Sequence, residues 1–162
     1  MATDPTSEPG ISSGDPVEQF RNPALTVDGV VLVRGAEGIP GRPLTVLLVE
    51  RGRDPFQGQY ALPGGFVDYG EDIADAIDRE IAEETGLTGL PFRQFRTFGS
   101  PGRDPRGHTV SVVYVAVLQG EAPQVVGGDD AASADWFDVT ELPDLAFDHA
   151  HILGQVLDTL NQ

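Results

Sequence analysis

Cysteine is absent from this chain, which excludes disulfides and thiolate zinc sites and is compatible with a reducing cytoplasm. Lysine is absent as well: all ten basic side chains are arginine, set against 26 acidic ones, and the formal net charge is −16. Nucleic-acid binding through a basic surface is disfavoured, because phosphate contact needs positive charge that this surface lacks. An anionic substrate must then be met by a metal ion and a few local arginines. The acidic, lysine-free surface suits a salt-rich cytoplasm, where self-repulsion is screened; codon bias towards arginine on an ordinary acidic surface explains it equally well. No segment approaches the roughly 20 apolar residues needed to cross a bilayer, and the opening Met-Ala-Thr-Asp-Pro lacks the regions of a signal peptide. The expectation is a cytoplasmic protein with no membrane partner. With 162 residues and no internal repeat, one domain with an adequate core is expected over 21–162, preceded by a flexible arm over 1–20 that is rich in Pro, Ser, Gly, Asp and Glu.

Against these absences, one stretch concentrates the chemistry. Residues 65–87 read as a glycine-rich turn followed by a helix. Gly70 suits the turn, Glu71 and Asp72 place negative charge at the positive end of the helix dipole, and Gly86 suits the left-handed position past the helix end. The helix is expected to begin near Glu71. Ile73, Ala74, Ile77 and Ile81 recur at three- and four-residue spacing and are expected to face the core. Glu80, Glu83 and Glu84 share an adjacent face, where like charges repel unless something positive compensates them. Arg79 is one internal cation; Mg²⁺ or Mn²⁺, hard ions that prefer oxygen ligands, would be another. A plain solvated acidic face is the alternative reading of the helix alone.

The stretch resembles the Nudix box, Gly-x5-Glu-x7-Arg-Glu-U-x-Glu-Glu-x-Gly-U with U aliphatic. Gly65, Glu71, Arg79, Glu80, Ile81, Glu83, Glu84, Gly86 and Leu87 all fall in register. Agreement at nine specified positions in one window is far more specific than a lone glycine motif. The resemblance implies a Nudix-type α/β/α sandwich with a mixed β-sheet, an α+β fold, and metal-dependent hydrolysis of a nucleoside diphosphate linked to another group. It implies Glu80, Glu84 and the carbonyl of Gly64 as metal ligands, with Glu83 completing the metal shell or taking a proton from water. Arg79 would hold the carboxylates in place, and Glu71, Gly65 and Gly86 would support the turn and the helix. The general base often comes from a late loop in this family; Asp130 is the candidate, with Asp129 second.

Elsewhere the chain alternates strand and loop signals. Leu25, Val27 and residues 30–33 read as a buried strand, 44–49 as another, and 90–98 and 110–118 as two more, the last apolar enough to be central. Ala134, Trp136 and Phe137 read as a strand, and 145–160 as a closing amphipathic helix. The glycines and prolines at 35–41 mark a loop. Arg51 and Arg53 share a strand face and could reach phosphate, as could Arg103 and Arg106 in the loop 99–108; solvated surface charge is the plain alternative for both pairs. His149 and His151 lack an acidic partner in sequence and read as structural rather than metal-ligating.

The substrate expectation rests on resemblance alone. Residues 23–33, Arg53-Asp54-Pro55-Phe56 and the loop Arg103-Asp104-Pro105-Arg106-Gly107-His108 resemble those of ADP-ribose pyrophosphatases, which implies AMP and ribose 5-phosphate as products and a possible homodimer. Pro101 stands close to the place where such enzymes carry a proline after the box. One alternative is clearance of an oxidised or surplus nucleoside triphosphate. A second, from another class, is a nucleotide sensor of the kind fused to a DNA-binding winged helix, which the approach to the box also resembles. The intact box acids, and a chain that closes just after its last helix, lead us to expect an enzyme.

Overall fold

Valine and leucine alternate their direction along the central strands, and this alternation builds two cores on opposite faces of one sheet. The computed structural model describes residues 20–35, 44–128 and 130–162. The expected arm, apart from Phe20, most of the 35–41 loop and Asp129 therefore lie outside the described residues. The elements are β1 (Ala24–Arg34), β2 (Thr45–Arg51), β3 (Tyr60–Ala61), β4 (Gly64–Phe66), α1 (Ile73–Thr85), β5 (Arg93–Phe98), β6 (Thr109–Gln119), β7 (Ala131–Asp138) and α2 (His149–Leu160).

The described strands form one sheet in the order β3-β2-β1-β6-β5, with β4 also on β1 and β7 also on β2. β1 and β6 are parallel in unbroken register from Ala24↔Thr109 to Arg34↔Gln119, and the other pairs are antiparallel, so the sheet is mixed as expected. β1 shares its other edge between two partners: β4 at Thr26, Val27 and Asp28, and β2 at Leu32 and Val33. The strands fork there, and the fork opens a cavity.

Val27, Val31, Leu47, Val49 and Val112 point to the face covered by α1, where Ile77 and Ile81 are buried. Val30, Leu32, Val46, Leu48 and Val113 point to the opposite face and meet Ile152, Leu153 and Val156 of α2. Each fully buried isoleucine or leucine contributes about 2 kcal/mol to this α/β/α sandwich. Close packing also explains Gly29, where a Cβ would come within 3.0 Å of the Ile81 Cδ1.

Several boundaries differ from expectation for local reasons. α1 starts at Ile73, because Asp72 is the N-cap and its carboxylate accepts from the Ala74 N–H at 2.8 Å. Ala74 is exposed and Ala76 is buried instead, since the core stripe runs through positions 73, 76, 77 and 81. Gly86 does end the helix, with φ of 77° and its N–H on the Ala82 carbonyl at 3.0 Å. The fifth strand begins at Arg93 rather than residue 90, and two short strands, β3 and β4, precede the helix. Residues 145–148 are not helical. Leu145 bridges to Tyr60, and Phe147 has φ of 53°, so α2 begins only at His149.

Candidate active site

Gly64 and Gly65 run antiparallel to β1 and are pressed between that strand and α1. A Cβ at Gly64 would collide with the Val27 carbonyl oxygen, and one at Gly65 would lie 2.6 Å from the Glu80 carboxylate. Only glycine lets this backbone come so close to the helix acids. The Gly64 N–H donates to Glu84 Oε2 at 3.0 Å.

Arg79 organises the other box acids. Its Nε and Nη2 donate to Glu71 at 2.6 and 2.9 Å, its Nη1 donates to Glu80 at 2.9 Å and to Glu83 at 3.2 Å, and its Nη2 also reaches the Phe66 carbonyl at 3.1 Å. Glu71 in turn accepts from the Asp68 N–H at 2.9 Å, closing the turn before the helix. The Arg79 bonds hold the Glu71 carboxyl down at about 2, and Glu71 raises the Arg79 guanidinium. Burial pushes Glu80 up, against the pull of Arg79. Glu84 is pushed up to about 8, first by burial and then by the negative charges of Glu80 and Asp28, against the Gly64 N–H and Arg51.

A cavity of about 350 Å³ opens above these groups, lined by Glu80, Glu84, Gly64, Gly65 and Asp28 on one side and by Arg51, Arg53, Arg103, Arg106 and Asp130 among others. Glu83 is not in its wall; its side chain is 40% exposed and turned to Arg79. The four arginines read from sequence thus converge, but their commitments differ. The side chain of Arg103 is largely covered and donates twice to Asp148, at 2.7 and 3.0 Å, and once to Thr109 at 3.0 Å. That leaves Asp148, the N-cap of α2, with no side-chain capping bond. Arg53 pairs with Asp130 at the exposed rim. Arg106 is held by the buried Asp104, with Nη2 on Oδ2 at 2.8 Å, and its guanidinium lies 4.9 Å from the Phe66 ring centre and 5.3 Å from that of Phe147. Burial raises Asp104, yet the Arg106 bonds outweigh it and leave that carboxyl lowered. Arg51 donates from Nε to the Pro55 carbonyl at 2.7 Å and stacks 4.8 Å from Phe147. Burial and then the charge of Arg106 lower the Arg51 guanidinium, a repulsion that a bound polyanion would relieve.

The sequence reading missed several wall residues. Asp28 is buried in β1, accepts from the Ser111 hydroxyl, and lies 3.6 Å from His149 Nε2. A carboxylate interrupting the apolar run of β1 was a visible signal. Phe147 carried none, because only the folded chain brings residues 145 and 146 beside β3 and turns at Phe147 into the cavity wall. His149 is buried and neutral, its imidazole lowered first by burial. His151 sits on the exposed flank of α2, bonded to Gln155 at 2.8 Å.

The donor chemistry of the site fits a hard divalent cation. Two carboxylates and a glycine backbone offer oxygen ligands, and the charged form of Glu84, disfavoured by burial and by Glu80 and Asp28, is one that a cation would restore. As the side chains stand, no three acidic or histidine groups among the described residues converge closely enough to grip an ion, because Arg79 and the Gly64 N–H hold Glu80 and Glu84 respectively.

Comparison with known proteins identifies the family. The NUDIX domain family matches residues 24–160. An ADP-ribose pyrophosphatase of Methanocaldococcus jannaschii is 42% identical over 135 residues, covering 83% of this chain and 73% of that protein. The ADPR responsive transcriptional repressor NtrR of Acinetobacter baylyi is 32% identical over 146 residues, covering 88% of this chain but 56% of the repressor, so the chain spans little more than half of that relative. Among solved structures, the NUDIX domain of Shewanella oneidensis NrtR complexed with ADP ribose superposes with a TM-score of 0.77 at 34% identity, over 90% of this chain and 93% of that one. The box in register, the forked mixed sheet between two helices and these likenesses lead to one assignment: the chain belongs to the Nudix hydrolase family.

Proposed function

We propose that the protein hydrolyses the pyrophosphate bond of a nucleoside diphosphate derivative with the help of Mg²⁺ or Mn²⁺, and that its substrate is ADP-ribose, released as AMP and ribose 5-phosphate. The observation that carries the reading is the sharing of one cavity by Glu80, Glu84 and the Gly64 backbone with Arg51 and Arg106. Glu80, Glu84 and the Gly64 carbonyl would hold the metal, which when bound neutralises pyrophosphate charge and acidifies a water. Arg51 and Arg106 bind phosphate oxygens, and the mutual repulsion of the two guanidiniums favours an anion between them. Arg79 orients the box acids without touching substrate. Asp130, in the cavity wall, takes the proton of the attacking water once it parts from Arg53; Glu83, farther out, is the other candidate for that proton. Water adds to one phosphorus as the bridging P–O bond breaks, so each product leaves as a phosphate monoester. The pyrophosphatase relative at 42% identity supports ADP-ribose as substrate.

A hydrolysis screen tests this: ADP-ribose, other nucleotide sugars, dinucleotides and nucleoside triphosphates with Mg²⁺, at low and high salt, with products separated by chromatography. Preferential formation of AMP and ribose 5-phosphate is expected. Turnover of a triphosphate with ADP-ribose ignored would overturn the substrate and keep the chemistry. A second reading, ADP-ribose sensing without turnover, is favoured by the likeness to the NrtR domain. Binding of ADP-ribose with no metal-dependent hydrolysis would select it.

A further inference from the structure

The segment before the box is pinned at three consecutive residues by three different elements. The Leu62 N–H donates to His149 Nδ1 of α2 at 3.0 Å, the Pro63 carbonyl accepts from Gly29 of β1 at 2.8 Å, and the Gly64 N–H donates to Glu84 of α1 at 3.0 Å. The α2 contact stands in for a backbone bond. Residues 145 and 146 run beside β3, with a parallel bridge from Leu145 to Tyr60 and the Ala146 N–H on the Tyr60 carbonyl at 2.8 Å. A continued parallel ladder would offer the next acceptor to Leu62. The chain instead turns at Phe147, and the Ala146 carbonyl is taken by the backbone N–H of His149 at 3.2 Å. The imidazole of the same residue supplies the missing acceptor.

The ring is oriented on its other side as well. Since Nδ1 accepts from an amide, Nε2 carries the hydrogen, and it lies 3.6 Å from Asp28 Oδ1. Asp28 is itself fixed by the Ser111 hydroxyl and stands opposite Gly64 in the β1–β4 register. Ser111, Asp28, His149 and Leu62 thus form one buried chain of contacts that ends two residues from Gly64.

We propose that His149 is a positioning residue for the candidate metal site: rooted in the first turn of α2, it fixes the 62–64 backbone so that Gly64 is presented against Glu84. The closing helix is thereby tied to a site whose acids lie on the helix across the sheet. This rests on the metal-dependent reading above. Polar groups that orient a ligand from one shell out typically change metal affinity by about 10- to 100-fold when removed.

The test is a Mn²⁺ titration of the full chain, read from the electron paramagnetic resonance signal of free Mn²⁺, for the parent, His149→Leu and His149→Asn. Leucine and asparagine have nearly the same shape, but the asparagine amide offers an acceptor oxygen where Nδ1 stood. His149→Leu is expected to weaken Mn²⁺ binding about tenfold or more and to lower kcat, with KM for ADP-ribose moved less than about twofold, and His149→Asn to recover most of the loss. Unchanged Mn²⁺ affinity in the folded leucine variant overturns the proposal, as does an asparagine variant as weak as leucine. If circular dichroism shows the leucine variant unfolded, Ser111→Ala, which frees Asp28, carries the test: about threefold weaker Mn²⁺ is expected, and no change overturns it. A parent protein that binds no Mn²⁺ sinks the metal reading and this inference together, whereas a parent that binds it with every variant unaltered sinks this inference alone.

Discussion

Arg79 and Glu71, eight residues apart, meet through two hydrogen bonds of 2.6 and 2.9 Å, so the acid that opens the box turn and the arginine of the helix form one rigid bracket. The same guanidinium holds Glu80 at 2.9 Å. Arg79→Gln removes the bracket and leaves Glu80 without its orienting partner. Activity is expected to fall about 10- to 100-fold with substrate KM little changed. Steady-state kinetics check this; a variant defective only in KM would mean that Arg79 touches substrate instead.

Glu84→Gln keeps the shape of the side chain and removes its charge. Because Glu84 lies in the cavity floor against Gly64, most turnover should vanish, a loss of about 100-fold or more in kcat. Activity within about twofold of the parent would contradict the placing of the metal.

The two adjacent glycines should fail differently when replaced by alanine. A methyl at Gly65 meets the end of a side chain, Glu80, which can swing aside, so Gly65→Ala is expected to cost activity more than stability. A methyl at Gly64 meets the backbone oxygen of Val27, which cannot move without parting β4 from β1. Gly64→Ala is expected to lose about 1–3 kcal/mol of folding stability. Urea unfolding of both variants beside their kcat values separates the cases, and equal stability losses would refute the distinction.

In metal-free protein the stability profile should slope with pH through Glu84. Its carboxyl sits at about 8 in the fold against an ordinary value of 4.5, pushed up by burial and by Glu80 and Asp28 and opposed by the Gly64 N–H and Arg51. A raised acid favours the protonated form when folded. Its contribution is therefore complete below pH 4.5 and is lost as pH climbs through about 8. Glu71, held at about 2 by Arg79, acts in the other direction: its contribution is present above 4.5 and lost as pH falls towards about 2. Thermal midpoints in EDTA from pH 4 to 9 should decline more steeply for the parent than for Glu84→Gln, and parallel profiles would count against this origin.

Asp130 and Glu83 compete for the role of base. Asp130 lines the cavity and Glu83 does not, so Asp130→Asn is expected to lower kcat by about 100-fold and Glu83→Gln by less than about tenfold. The reverse ranking would move the proton transfer to the helix.

Spacing along the chain was enough to specify the box, the helix stop at Gly86 and the two-sided burial of the strands, because these depend on neighbours three, four or two residues away. The family likeness followed from the same local register. Residues far apart in sequence were decided only by folding. Asp28, Ser111 and His149 come from two central strands and the last helix, and nothing in their own surroundings shows that they meet. Folding also sorted four similar arginines. Arg103 went to Asp148, Arg53 to Asp130 and Arg106 to Asp104, while Arg51 came to rest against Phe147. Charge is legible in a sequence, and so is a partner two residues away such as Asp104 for Arg106; the distant partners of Arg53 and Arg103 depend on which loops the fold brings together.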